Sequence, residues 1–165
     1  MINIHVDTRA FQKEMDRIPV EIARAIRIGL KEGAQVLING ARVNFNAHFE
    51  GHSGKGEASI QVDPAQTTDT SITVGLNKEI AEYSVYLHEG TGIYGKKKKS
   101  FFVKPVNAKA LHWVGGKADF FSKGHEIQGI EGHKFLEDAA EEKREEMVKS
   151  VLKQIEEAIR KAGQS

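Results

Sequence analysis

Apolar and polar residues alternate over residues 2–7, and this two-residue period predicts a short half-buried strand. Asp7 or Thr8 can cap a short helix after it, and Pro19 marks the break before the next helix. Beyond Pro19, apolar residues recur every three or four positions, which predicts a helix of about seven turns with one apolar face. Its stripe consists of Ile22, Ile26, Leu30, Ala34, Leu37, Ala41 and Phe45.

Two short alternating runs in the middle of the chain predict a β-hairpin. Apolar residues alternate with polar ones in 60–63 and again in 72–76, and residues 64–70 form the turn between them. The tyrosine-rich stretch that follows fits either an extended piece or a short helix. We favour a helical start at Glu79 and an extended finish.

The next part of the chain predicts further strands. Residues 101–105 finish on a proline, which is typical of the end or edge of a strand. Residues 111–114 and 118–121, together with 126–127, indicate another hairpin that turns at Gly115–Gly116.

A last long helix is predicted after Gly132, with Gly163 near its end. Lysine and glutamate occupy the face opposite an apolar stripe. Glutamates four residues apart repel one another on that face, so the helix must be stabilised by packing of the stripe. The stripe consists of Ala140, Met147, Val148, Val151, Leu152, Ile155 and Ile159.

These elements predict an α+β fold in which a small antiparallel sheet packs against two long helices, one N-terminal and one C-terminal. The length suits a single domain over residues 1–165, which would bury about 70% of its extended-chain surface. Segments 46–57 and 92–100 are rich in glycine and polar residues, and we predict that both are mobile loops.

Composition narrows the classes of function. The 24 basic and 23 acidic side chains give a formal charge of +1, so no global field attracts the chain to nucleic acid or to a membrane. The absence of cysteine excludes disulfides and thiol chemistry and fits synthesis in a reducing cytoplasm. No run of about 18 apolar residues predicts a membrane span, and the N-terminus is too polar for a signal sequence.

Three clusters resemble reactive sites but lack part of the required pattern. His48 and His52 stand four residues apart, as zinc ligands on a helix do, yet Glu50 is misplaced and no third ligand is evident. Residues 51–56 are rich in glycine without the spacing of a phosphate-binding loop. His88–Glu89 would point to opposite faces of an extended segment. The sequence therefore predicts no enzyme, no cofactor and no metal, with a metallohydrolase as the weakest alternative.

Three short segments carry a more specific signal, because they occur in a fixed order. They match the patterns T-G-x-L-x-x-S-I, Y-A-x-Y-x-x-x-G-T and P-F-L-x-x-A. The matching residues are Ser53, Gly54, Ser59 and Ile60, then Tyr83, Tyr86, Gly90 and Thr91, then Phe135, Leu136 and Ala139. This order resembles a family of neck and tail proteins of long-tailed bacteriophages, the head-tail joining or tail-completion proteins.

The chain departs from the family pattern at three positions. Gly56 replaces a usual leucine, Ser84 a usual alanine, and Lys134 the proline that often precedes the Phe-Leu pair. The order and spacing of the three segments are kept.

The resemblance implies a non-enzymatic virion protein made in the host bacterial cytoplasm. It would act at the phage neck or the head-proximal end of the tail, as head-closure, tail-terminator or tail-completion protein. Its partners would be further copies of itself, in a ring matching the six-fold tail, and other neck and tail proteins. The residues expected to define the fold or an interface are Tyr83, Tyr86, His88, Gly90, Thr91, Phe135 and Leu136. For the tyrosines, core packing is an equally good interpretation.

A basic loop favours the alternative of a small nucleic-acid-binding module. Lys96, Lys97, Lys98 and Lys99 form the densest block of charge in the chain, and Phe101 and Phe102 follow it. Lysines can contact phosphates while neighbouring aromatic rings stack on bases. In the phage interpretation, the same loop would make nonspecific contact with DNA in the channel.

Overall fold

The computed structural model describes residues 4–5, 20–49, 53–115 and 118–162. Contacts within the chain define two compact units. The first, here called the helical unit, comprises Met1–Val85 and Lys134–Ser165, and the second, the hairpin unit, comprises Tyr86–His133. The single-domain interpretation of residues 1–165 stays a prediction.

The helical unit is organised around helix α1, Val20–His48. This confirms the long N-terminal helix, which runs three residues beyond the predicted stripe. Helix α2, Lys55–Ala58, follows it, and helices α4, Phe135–Glu142, and α5, Arg144–Ala162, pack along α1. None of the helices in the described part of the chain is long and apolar enough to cross a bilayer.

The long C-terminal helix is confirmed, with one interruption at Lys143 that divides it into α4 and α5. Lys143 has φ −98° and ψ 4°, outside the helical region, although helix-type hydrogen bonds continue across it from Lys143 N–H to the Ala139 carbonyl and from Met147 N–H to the Lys143 carbonyl. Both pieces contact α1. The predicted stop at Gly163 lies outside the described residues.

A three-stranded antiparallel sheet completes the helical unit. Its strands are β1, Ile4–His5, β2, Ile60–Val62, and β3, Thr73–Leu76, in the order β1-β3-β2. Residues of α1 contact β2 and β3, which confirms the α+β fold and the first predicted hairpin. The rest of the predicted N-terminal strand and the short helix before Pro19 lie outside the described residues.

Part of the predicted loop over 46–57 is helical, so that prediction needs correction. Helix α1 continues to His48, and the Phe49 ring packs 4.9 Å from the Phe45 ring. Gly54 then takes φ 77°, a left-handed conformation that glycine adopts without steric cost, and α2 starts directly after it. Residues 50–52 lie outside the described part, and the mobility of the segment stays a prediction.

The hairpin unit begins within helix α3, Tyr83–Glu89. The predicted helical start at Glu79 and extended finish were both wrong. Asn77 holds residues 78–81, which precede the helix, in a turn. Its side-chain oxygen accepts a hydrogen bond from the Glu79 N–H, and its carbonyl accepts one from the Ala81 N–H. The helix therefore starts later and includes the end of the tyrosine segment.

Two separate two-stranded sheets follow in the hairpin unit. Strand β4, Phe101–Val103, pairs with β7, His125–Ile127, and β5, Leu111–Gly115, pairs with β6, Ala118–Ser122. The predicted strand at 101–105 and the second hairpin are confirmed. Residues 126–127 were predicted to belong to the second hairpin, and this was wrong. They pair with β4 instead, across a longer stretch of chain.

Helices α1 and α5 approach each other closely at Gly29. A Cβ atom built at Gly29 would lie 2.6 Å from the Cα atom of Val151, whereas a Cβ at Gly33, one turn later, would meet Met147 at an ordinary 3.4 Å. The two positions differ in the space available, although both are helical glycines. The period of apolar positions along the chain gives no sign of this small-residue contact.

This difference makes Gly29→Ala and Gly33→Ala a matched pair. Alanine favours a helix over glycine by about 1 kcal/mol, so Gly33→Ala is expected to stabilise the protein by up to that amount. Gly29→Ala is expected to destabilise it by about 1 to 2 kcal/mol, because the helices must move apart. Urea unfolding followed by circular dichroism measures both. Equal effects of the two substitutions would contradict the close approach at Gly29.

Candidate functional site

The tyrosine segment presents its two rings to solvent. Tyr83 and Tyr86 lie three residues apart in α3 and therefore share a face of the helix, and their exposed fractions are 40% and 48%. Ser84 and His88, four residues apart, are fully buried instead. The Ser84 hydroxyl donates a hydrogen bond to the Ala81 carbonyl at 2.7 Å. The tyrosines are thus surface residues, and the core interpretation of their rings was wrong.

Gly90 and Thr91 belong to a backbone clasp, which we define as segments 87–95 and 128–133. The Thr91 N–H donates to the Ile130 carbonyl at 2.8 Å, and the Ile130 N–H donates to the Thr91 hydroxyl at 2.9 Å. The His133 N–H donates to the Leu87 carbonyl at 2.9 Å. Gly90 has φ 77°, which glycine tolerates best. These contacts give Gly90 and Thr91 a structural role within the hairpin unit.

His88 and Glu89 are adjacent in a helix and not in an extended segment, so the geometry assumed for this pair was wrong. The His88 side chain is fully buried. The Glu89 carboxylate forms an ion pair with Lys96, at 3.0 Å between Oε2 and Nζ. Glu89 therefore pairs with the first residue of the lysine loop, which we define as Lys96–Lys99.

Phe135 and Leu136 are fully buried at the start of α4. The Phe135 ring meets the Phe45 ring edge to face, with centroids 5.2 Å apart. Lys134 occupies the N-cap position of α4 without a side-chain cap hydrogen bond. Of the two interpretations of the Phe-Leu pair, the structure favours a fold-defining role over an interface.

The lysine loop lies on the surface of the hairpin unit. Lys96, Lys97, Lys98 and Lys99 are all exposed, and so are Phe101 and Phe102 in β4. Backbone hydrogen bonds fold the loop, among them Lys98 N–H to the Gly95 carbonyl at 3.0 Å and Lys99 N–H to the Gly92 carbonyl at 3.2 Å. In the described part of the chain, only Lys96 of the four lysines pairs with a carboxylate.

An aromatic surface on β5 and β6 was not identified from the sequence. Trp113 and Phe120 are cross-strand partners whose rings stack with centroids 5.8 Å apart. On the other face of the same two strands, His112 stacks on Phe121 at 4.8 Å. The signal was present in the sequence, because the adjacent Phe120 and Phe121 must point to opposite faces of a strand.

The apolar stripe predicted to pack in the core is only partly covered. Gly29 of α1 lies against Val151, and Met147 and Val151 are half-buried. Val148, Leu152 and Ile159, on the neighbouring side of α5, are each more than half exposed, at 51%, 51% and 55%. We call these three residues the α5 stripe. Its exposure corrects the expectation that the whole stripe is buried.

The reactive clusters considered in the sequence are not assembled among the described residues. No group of three histidine or acidic side chains within 4–5, 20–49, 53–115 and 118–162 could hold a metal ion. His48 is the last residue of α1, and Glu50 and His52 lie outside the described residues. The zinc alternative is therefore untested at two of its three positions.

Comparison of the chain with protein-family models, with curated proteins and with solved structures finds no match. The resemblance to phage neck and tail proteins therefore stays a prediction, carried by the residues of the three segments.

Proposed function

We propose that this chain is a non-enzymatic structural protein of a tailed-phage particle. It acts at the head-tail junction or the head-proximal end of the tail, and its copies form a ring that joins or completes the tail. Its partners are other copies of itself and the neck and tail proteins on either side. The order of the three motif segments supports this function.

The observation that carries the proposal is the amount of apolar side chain exposed at separate places. Tyr83 and Tyr86 on α3, the aromatic rings of β5 and β6, and the α5 stripe are all exposed. Groups of neighbouring exposed apolar side chains can mark interaction sites. A subunit that contacts a copy on each side, and other components above and below, needs several such surfaces.

Two experiments test this function: one locates the protein in phage particles, and the other asks whether particles assemble without it. An antibody against the chain, viewed by electron microscopy of particles from the phage or prophage that encodes it, is expected to label the head-tail junction. Deleting the gene is expected to leave separate heads and tails. Labelling of the host cell and not of the particles, or full-length particles at normal yield without the gene, would contradict the proposal.

A second candidate function is binding of nucleic acid by the hairpin unit. Residues 86–133 contain eight lysines and four acidic residues, so this part of a nearly neutral chain is basic. Lys97, Lys98 and Lys99 are exposed in the same unit as the rings of Phe101 and Phe102. Basic side chains with exposed rings suit the phosphate backbone and bases of single-stranded DNA.

Neutralising the loop is expected to weaken DNA binding in a salt-dependent manner. In a variant with Lys97→Gln, Lys98→Gln and Lys99→Gln, the slope of log affinity against log salt is expected to fall by about one for each phosphate that the loop no longer neutralises. Fluorescence anisotropy with a labelled oligonucleotide measures this slope. The control removes three exposed charges from the helical unit, at Lys31, Lys149 and Lys153. Equal slopes in both variants would exclude the loop as the DNA contact.

A further inference from the structure

Strands β5 and β6, here called the aromatic hairpin (111–115 and 118–122), expose apolar side chains on both faces, although His112 and Asp119 also lie on one of them. Trp113 and Phe120 lie on one side, and Val114 and Phe121 lie on the other. Their exposed fractions are 43%, 45%, 67% and 70%. A sheet normally turns polar residues to water on the face that does not pack on a core. The face of Trp113 and Phe120 carries no charged side chain among its described residues, so it is the face suited to an apolar partner.

One face of the aromatic hairpin contributes part of the area of a specific contact. Aromatic side chains bury about 150–250 Å² each, so Trp113 and Phe120, at exposed fractions of 43% and 45%, leave about 200 Å² of mostly apolar surface open on that face. A stable interface takes about 800 Å² from each partner. This face thus supplies about a quarter of one side of an interface, and residues around it must supply the rest. A two-stranded hairpin is also marginally stable alone, which adds to the benefit of a covering partner.

The charges of the hairpin favour a protein surface over nucleic acid as that partner. Asp119 is the one Asp, Glu, Lys or Arg among the described hairpin residues, and its carboxylate lies 2.9 Å from the His112 ring nitrogen, within hydrogen-bond distance. A phosphate backbone needs cationic side chains at the contact. The partner must instead offer an exposed apolar surface of similar size.

The chain itself carries such a surface in the helical unit. Val148, Leu152 and Ile159 form the α5 stripe, and Val148 and Leu152 are one helical turn apart on one side of α5. An exposed helical stripe is the kind of surface on which a second element packs. Each copy therefore contributes one aromatic hairpin and one α5 stripe.

We propose that the aromatic hairpin of one copy docks on the α5 stripe of a neighbouring copy. The contact joins two different surfaces, so it is heterologous, and repetition of such a contact closes into a ring when the rotation permits. The inference rests on the proposed function, because it names the contact that would hold the ring together. It makes Trp113 and Phe120 of the hairpin, and Leu152 of the α5 stripe, the central residues of the interface.

Trp113 is the only tryptophan of the chain, so its fluorescence reports on the hairpin alone. A limiting amount of the natural protein is titrated with a Trp113→Phe copy, which keeps an aromatic ring but does not emit as tryptophan. The emission maximum of Trp113 is expected to shift to the blue and to saturate as its hairpin becomes covered. The matched partner carries Trp113→Phe with Val148→Glu and Leu152→Glu, both at exposed positions. With this partner we expect at least about tenfold weaker association, because the glutamates would be buried in an apolar contact.

The alternatives give different results. An equal shift with the glutamate partner would show that the hairpin docks elsewhere. If light scattering shows that copies associate but the emission of Trp113 does not shift, the hairpin contact is excluded, whereas a ring held by other surfaces is not. A shift produced by an oligonucleotide and not by other copies would assign the hairpin to DNA. Emission that is already blue and independent of concentration would assign its cover to the same chain. Circular dichroism confirms that the glutamate partner is folded, and labelling of particles tests the proposed function separately.

Discussion

Gly129→Ala is expected to destabilise the backbone clasp by about 3 kcal/mol or more. Gly129 has φ 112°, which costs any other residue about 1–3 kcal/mol. A Cβ atom at this position would also overlap the carbonyl oxygen of Thr91. Thr91 cannot move away easily, because the overlapping atom belongs to its backbone. Its N–H donates to the Ile130 carbonyl, and its hydroxyl accepts a hydrogen bond from the Ile130 N–H. Overpacking adds about 1–3 kcal/mol.

Hydrogen exchange followed by mass spectrometry is the measurement, because it locates the loss of stability. Amides of segments 87–95 and 128–133 are expected to exchange much faster in Gly129→Ala, as local opening becomes cheaper. The control is Gly54→Ala, since Gly54 has φ 77° but, among the described residues beyond its two chain neighbours, no atom lies within 4 Å of a built Cβ. It introduces strain without overlap, and we expect about 1 kcal/mol. An effect of Gly129→Ala no larger than that of the control would contradict the clasp.

The clasp also explains what the sequence could and could not predict. The pair Gly90–Thr91 is a turn signal that can be recognised within a short window of sequence. Its partner segment at 128–133 lies about forty residues later, and periodicity carries no information on which distant backbone will approach. Nothing local marks Gly92 and Gly129 as the positions where two backbones meet. Long helices and alternating strands were predicted well, because their signals are local.

The errors at the helices have a common physical cause. An apolar stripe shows which face of a helix avoids water, but it does not say whether the cover comes from the same chain. The α5 stripe was assigned to the core on its period, yet Val148, Leu152 and Ile159 are exposed. In α3, the polar residues Ser84 and His88 are buried, whereas the rings of Tyr83 and Tyr86 are exposed to solvent. In both helices, the side chains that become buried depend on packing that the local pattern does not encode.

The pair Gly56 and Phe45 gives the second large effect. Phe45 is fully buried, and a Cβ atom at Gly56 would overlap the tip of its ring. The Phe45 ring thus occupies the space next to position 56, where the phage family that the chain resembles usually has leucine. Phe45→Ala is expected to cost about 3–5 kcal/mol, because it removes the ring that packs on Phe135 and leaves a cavity. Gly56→Leu is expected to cost about 2–4 kcal/mol by overpacking.

The double variant Phe45→Ala with Gly56→Leu decides whether the two positions share one space. If leucine fills the cavity left by the ring, the loss of stability in the double variant is smaller than the sum of the single losses by about 1–3 kcal/mol. Urea unfolding of the four proteins gives this coupling energy. Lys55→Leu is the matched control, since it adds the same side chain at an exposed position of α2 and is expected to change stability by less than about 0.5 kcal/mol. Additive losses would mean that the ring and position 56 pack independently, and the departure from the family pattern at Gly56 would then need another cause.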